Sequence, residues 1–296
     1  MLAITLVLIA WPWSQAAGGG CDTAATLPEA LWYDAEADMP NILEFADAWQ
    51  GPRDLHMYDL FSASKKMCTS WTARGYRAVA FDLLLSREDD ILSPTGFQKA
   101  LHLGLRLQCG GLCFAGPPCS LFTFLSSSVH RRSLGNLDGQ TVFESVRMAN
   151  AIARNTAILL RVLLRRGCYV AIEQPKGSWL NKQLLYIALA QSFGLFLTIT
   201  YMGCFGHDLP KATAIMSNMP SSTLLARRLT KDVLAKINAR FDKRQSTRKV
   251  QKEYYAKGSG PSGRKDMQST AAYTGFFVNA VRSAWEKQWH AQVVPN

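Results

Sequence analysis

Four side chains stand out as candidates for binding or reaction: Asp59, Asp82, Cys119 and Glu173. Asp59 and Asp82 lie 23 residues apart, each at or near the end of an apolar stretch. In a βαβ unit, an acid at the end of the second strand can accept hydrogen bonds from ribose hydroxyls, which points to a nucleoside-containing cofactor. A glycine-rich turn usually accompanies such an acid. Here the turn reads Ser62-Ala63-Ser64-Lys65, without glycine. The plainer alternative makes Asp59 a turn cap and Asp82 a surface acid. Cys119 stands in Ala115-Gly116-Pro117-Pro118-Cys119-Ser120. Two prolines fix φ twice and remove two donors, so the loop is rigid. A cysteine presented there is a nucleophile if its pKa is lowered; otherwise it is an inert core thiol. Glu173 ends the apolar run Cys168–Glu173. Partial desolvation raises the pKa of such a carboxyl, and its protonated form can donate to a ring nitrogen. Its alternative is to cap the following helix.

These residues need elements to position them. From Leu55 the chain alternates strand-like and helix-like stretches. Strands are expected over 55–61, 77–82, 112–116, 168–173, 195–201 and 212–216. Helices are expected over 67–74, from Pro94 to about Leu107, 138–166 and 180–193. Apolar residues at 3.6 spacing mark the long third helix, and Pro94 suits a first helical turn. Short connections between alternating elements predict an α/β fold, a mostly parallel sheet with helices on both faces. Ligands bind such sheets at the carboxyl ends of the strands, where all four candidates fall.

Three motifs occur in order: "DLFSAS" at 59–64, "GPPCS" at 116–120 and "EQPKGS" at 173–178. Together they resemble the DNA (cytosine-5) methyltransferase family, over about residues 55–220. In that family a D-L-F-S-G turn holds S-adenosylmethionine, a G-P-P-C loop supplies the nucleophile, and an E-N strand end binds the flipped base. The resemblance implies a Rossmann-like class I methyltransferase fold. It places S-adenosyl-L-methionine against Asp59, Phe61, Ser62, Asp82 and Pro117. It makes Cys119 the nucleophile toward C6 of cytosine and Glu173 the partner of N3 and the exocyclic amine. Segment 126–136 lies where the family has its mobile loop, and "YMGCFGHDLPKATAIMSN" (201–218) where it has its next basic motif, with Lys211 and Thr213 in place of an arginine pair. Contacts to nucleic acid, DNA before RNA, are thereby implied for Ser120, Arg131, Arg132 and Lys211. The loop reads equally as a solvated basic turn. "YTGFFVNAVRSAW" (273–285) resembles the final motif, a helix that returns to the cofactor.

The sequence also departs from that family. Ala63 and Ser64 stand where its first motif keeps glycines, Gln174 replaces the asparagine, and Cys119 and Glu173 are 54 residues apart. A basic helical tail, rather than a large target-recognition domain, follows residue 220. A catalytically inactive nucleic-acid-binding or scaffold protein, and a small-molecule methyltransferase, are therefore the alternative readings.

With 296 residues, 48% of them hydrophobic and 19% charged, the chain can bury a sizeable core, which excludes disorder for most of it. Its net charge of +11 is concentrated. Residues 22–59 hold nine acids and one arginine, whereas 221–296 hold 15 Lys/Arg against 5 Asp/Glu. A basic segment of that kind suits a polyanion or, more plainly, a solvated helical face. Seven cysteines without paired C-x-x-C units signal no metal cage and fit reduced intracellular thiols. The expected organisation is an apolar segment (1–20), an acidic lead-in that packs on the main domain (21–54), a catalytic domain (55–220) and a basic helical tail (221–296). Leu2–Trp13 followed by Ser14-Gln15-Ala16 resembles a secretory signal but lacks the basic start. A nuclear or cytosolic location is expected if it is not one, and membrane contact only if 2–13 is an uncleaved anchor.

Overall fold

The computed structural model describes residues 32–247 and 273–293. The apolar segment 1–20 lies outside the described residues. Six strands form one sheet: β1 (Leu55–Leu60), β2 (Ala78–Phe81), β3 (Leu107–Ala115), β4 (Tyr169–Pro175), β5 (Phe196–Tyr201) and β6 (Ala212–Ser217), in the order β2-β1-β3-β4-β6-β5. The first four pair in parallel, whereas β6 runs antiparallel to both β4 and β5. The chain thus contains a mixed α/β domain of generic Rossmann-like arrangement.

The helices are α1 (Met39–Asp47), α2 (Lys66–Thr72), α3 (Pro94–Leu105), α4 (Ser127–His130), α5 (Glu144–Arg165), α6 (Leu184–Phe193), α7 (Lys231–Thr247) and α8 (Gly275–Val293). Strand alternation sends successive side chains to opposite faces. Tyr58, Leu60, Cys113, Ala115, Val170 and Ile172 meet the side formed with α3, α5 and α6. Met57, Leu112, Phe114 and Ala171 meet Trp71 of α2 and Phe277, Val281 and Trp285 of α8. Asp59, Gly116 and Glu173 share the parity of the second set, so they face the α2/α8 side. The expected cover of helices on both faces is present.

Several boundaries shift. Ser93 caps α3 by accepting from the Gly96 N–H at 2.9 Å, and the helix ends at Leu105. β3 begins at Leu107 rather than 112, because Gly110-Gly111 carries a register irregularity within the strand instead of a break before it. Gly110 takes φ +76°, which glycine adopts without steric cost. α5 starts at Glu144, six residues later than expected. A 3-10 turn (Trp179–Lys182) precedes α6.

The last helix packs into the main fold. Phe277, Val281 and Trp285 are fully buried, and the Trp285 indole N–H donates to the Gly110 carbonyl at 2.9 Å. Each large apolar side chain buried in this way contributes about 1.5–3 kcal/mol. α8 is therefore a wall of the main fold, not an appendage. The lead-in also docks. Asn155, buried in α5, accepts from the Ala35 N–H and donates to the carbonyls of Tyr33 and Ile91. Among the described residues no helix is long and apolar enough to cross a membrane.

Candidate active site

The carboxyl ends of β1, β2, β3 and β4 lie along one edge of the sheet, and the start of the reversed β6 comes to the same edge. At the end of β1, Asp59 is 2% exposed. Its Oδ2 accepts from the Ser62 hydroxyl at 2.5 Å and from the Cys68 N–H at 3.2 Å. Burial pushes its pKa up to about 6, against the lowering effect of these two donors. Asp82, after β2, accepts from the Ala63 N–H at 2.8 Å and the Leu84 N–H at 2.7 Å. The two acids therefore brace the turn between them.

That turn has an unusual backbone. Phe61, Ala63 and Lys65 take φ of +63°, +43° and +55°. Residues with side chains pay a steric cost there of about 1–2 kcal/mol each. The positions where the resembled family keeps glycines are 63 and 64, but the left-handed positions are 61, 63 and 65. Ala63, Ser64 and Lys65 are exposed. The shape of a glycine turn is thus kept without glycines, held by Asp59 and Asp82. Strain maintained in this way is typical of ligand-binding turns.

The Gly116-Pro117-Pro118-Cys119 loop follows β3. Gln174, buried next to Glu173, donates from Nε2 to the Pro117 carbonyl and accepts from the Ser178 hydroxyl, both at 2.8 Å. Gln174 thereby ties the Pro117-Pro118 loop to the end of β4, a structural job for the residue that departs from the family. Cys119 is half-buried and begins a 3-10 turn (Ser120–Phe122), with Ser120 exposed. Burial and then the Glu173 carboxylate push its thiol up, while Lys211 pulls it down. Its thiol is therefore not activated in the free protein, in contrast to the lowered value that nucleophilic attack requires.

Glu173 is 8% exposed. Burial raises its pKa, offset in part by Lys211 and by a hydrogen bond from Tyr273. The Tyr273 hydroxyl donates to Oε2 at 3.1 Å, whereas Oε1 is buried without a hydrogen-bond partner among the described residues. Tyr273 lies 100 residues further along the chain. Its hydroxyl sits where a Cβ on residue 116 would come within 2.6 Å, so any side chain at position 116 would displace it. Its ring packs edge-on against Phe114, and its carbonyl accepts from Lys66 Nζ at 2.8 Å. The segment 273–285 was identifiable as a returning helix, but the role of Tyr273 was not. Its only sequence signal is an aromatic residue just ahead of that helix.

The expected nucleic-acid residues divide. Arg131 is exposed, and Lys211 acts electrostatically on both Cys119 and Glu173. Arg132 departs from expectation. It is 6% exposed, and its guanidinium donates to Leu121 O, Leu137 O and Asn150 Oδ1 while covering the Phe122 ring. His130 is likewise buried, with Nδ1 accepting from the Arg132 N–H. Both hold the loop together instead of facing a phosphate. Among the described residues no group of three His, Cys, Asp or Glu side chains is placed to hold a metal ion. No protein-family model matches the chain, and no curated protein matches it.

Proposed function

We propose that this chain is an S-adenosylmethionine-dependent methyltransferase acting on C5 of cytosine in DNA, on a class I methyltransferase fold. The observation that carries the reading is the pairing of Cys119 with Glu173, a buried carboxyl that has one oxygen unfilled. A buried acceptor without a donor costs about 1–3 kcal/mol, and an N–H of a bound base relieves that cost. The reversed β6, set between β4 and β5, supports the class I sheet.

The residues present fit the cofactor. The braced turn at 59–65 offers a strained backbone at the ends of β1 and β2. Carboxylate oxygens can accept more than one donor, so Asp82 can hold the turn and still take a ribose hydroxyl. Phe61, Ser62 and Pro117 border the same region. Bound there, the cofactor supplies an electrophilic methyl group.

The protein's residues would do the rest. The target base leaves the stack to reach the edge. Glu173, whose pKa is already raised, holds a proton at N3 and accepts from the exocyclic amine through Oε1. Neutralising Glu173 removes one influence that keeps the Cys119 thiol protonated, and Lys211 then favours the thiolate. Sγ bonds to C6, the ring electron pair moves to C5, and C5 takes the methyl. That methyl's bond to the cofactor sulfur breaks as it is delivered, water then takes the C5 proton, and the returning pair expels Sγ as the thiolate.

A catalytically silent nucleic-acid-binding protein is the second reading. The seating of Tyr273 between Gly116 and Glu173 favours it, because that hydroxyl fills space beside the pair. Calorimetry with S-adenosylhomocysteine on the full chain tests the first part. Micromolar binding that weakens in Asp82→Ala supports the methyltransferase. Absence of binding by folded protein gives the second reading the lead.

A further inference from the structure

Beyond the Cys119/Glu173 pair, a groove of about 560 Å³ opens between α7, α8 and the 3-10 turn Met202–Phe205 that follows β5. Phe205 and Ala280 line it, with Arg227, Arg240 and Phe276 among its walls. Phe276 is 74% exposed, on a helix whose other face is buried. Its ring lies against Gly206, where a Cβ would meet it at 3.1 Å. Arg240 is anchored through Nη2 to the carbonyls of Gly203 and His207, both at 3.0 Å, and its Nε is buried with no partner among the described residues. The Arg227 guanidinium lies 5.2 Å from the Phe205 ring centroid and bonds neighbouring carbonyls through Nη1.

We propose that this groove binds a single-stranded segment of nucleic acid, with a phosphate at Arg227 and Arg240 and a base stacked on Phe276. The inference rests on the reading of the site as one that acts on nucleic acid. Cations beside an open aromatic face are what a strand offers partners to, since every base has a π-face and every linkage a charge. The positive charge also runs past the groove, on exposed Arg228, Lys231 and Lys236, with Asp232 as the acid among them. Successive phosphates can use that run, and a mononucleotide cannot. Position agrees as well. Phe276 follows Tyr273, the Glu173 partner, by three residues, and the Thr274 hydroxyl donates to the Phe205 carbonyl. The groove and the buried carboxyl thus flank one short segment. A strand in the groove passes beside the catalytic pair.

The test is fluorescence anisotropy of a fluorescein-labelled single-stranded oligonucleotide with the full chain, without cofactor, across a salt series. Phe276→Ala and Arg227→Ala change exposed side chains, and thermal melting checks that both variants fold as the parent does. Phe276→Ala is expected to weaken binding roughly ten-fold. Arg227→Ala is expected to lower the slope of log K against log salt by about 0.7, one single-strand phosphate contact. Unchanged affinity and slope in both variants overturn the groove. So does equal competition by a mononucleotide at the same concentration of phosphate. The two readings separate cleanly. Groove-dependent binding without methyl transfer leaves the groove and removes the methyltransferase; methyl transfer with unchanged KM in both variants does the reverse.

Discussion

β1 and β4 both end in a buried carboxyl on the same face of the sheet, yet the two ends are built differently. Asp59 meets donors from its own turn, Ser62 and Cys68, within nine residues. Among the described residues Glu173 takes its one donor from Tyr273, 100 residues away, and its Oε1 has no partner. A carboxyl satisfied locally holds backbone; one satisfied half-way, and from a distance, is reserved for something that arrives. The β1 end is therefore the brace, and on the proposed function the β4 end is the reacting centre.

Substitutions can break or sharpen that contrast. The largest effect belongs to the β4 side. Cys119→Ser should cut methyl transfer to cytosine DNA by about a thousand-fold or more, measured with labelled cofactor, while the melting temperature holds. A fall in melting temperature that matched the loss of activity would make Cys119 a packing residue instead.

Next comes the β1 side. The folded pKa of Asp59 is about 6, above its ordinary value near 3.8. The folded state then holds the proton more tightly than the unfolded chain, so stability falls as pH rises between those two values and is flat above the upper one. The loss is up to about 3 kcal/mol. Asp59→Asn, which cannot ionise, should remove that slope. Denaturant melts of parent and variant from pH 4 to pH 7 check it, and parallel pH curves would contradict a buried brace.

Tyr273→Phe has a smaller effect. Without the phenol, Glu173 loses a donor that stabilises its anion, and its pKa moves further up. Methyl transfer should fall roughly ten-fold, in line with the loss of one hydrogen bond that positions the carboxyl, and the alkaline limb of its pH profile, set by the protonated Glu173, should move to higher pH. Carbon-13 NMR of the Glu173 carboxyl, assigned by its loss in Glu173→Gln, reads the same shift without turnover. An unmoved midpoint would show that Tyr273 merely packs.

The smallest expected change sharpens the brace. Ala63→Gly relieves a left-handed φ, offset by glycine's extra freedom in the unfolded chain. A net gain of about 0.5–1 kcal/mol in denaturant unfolding is expected. A net loss would mean that the turn is not strained.

The sequence made the strand ends legible, because apolar runs stop where the chain leaves the sheet, and the four candidate residues sit at those stops. The reversal of β6 was not legible. Residues 212–216 have the composition of a strand, and composition carries no direction. β3 was read too short because Gly110-Gly111 signals a break, while in the sheet the pair absorbs a register shift. At the site, Arg132 and Arg131 look alike in sequence, yet a one-residue step puts the first under Phe122 and the second in solvent. Gln174 counted as a departure until its bond to Pro117 gave it work. Tyr273 was hidden for a different reason: nothing local couples it to Glu173, and only the packing of α8 against α2 and β3 brings them together.

The most direct test of the central claim is covalent capture at Cys119. A DNA substrate carrying 5-fluorocytosine cannot lose its C5 substituent as a cation, so once Sγ has bonded to C6 and the methyl has been delivered, the complex cannot resolve. Mass spectrometry of the digested full chain should then find the methylated fluorocytosine adduct on the peptide containing Cys119, and none in Cys119→Ser. Folded protein that binds the cofactor and the DNA but yields no adduct, or yields one on another cysteine, would contradict the account.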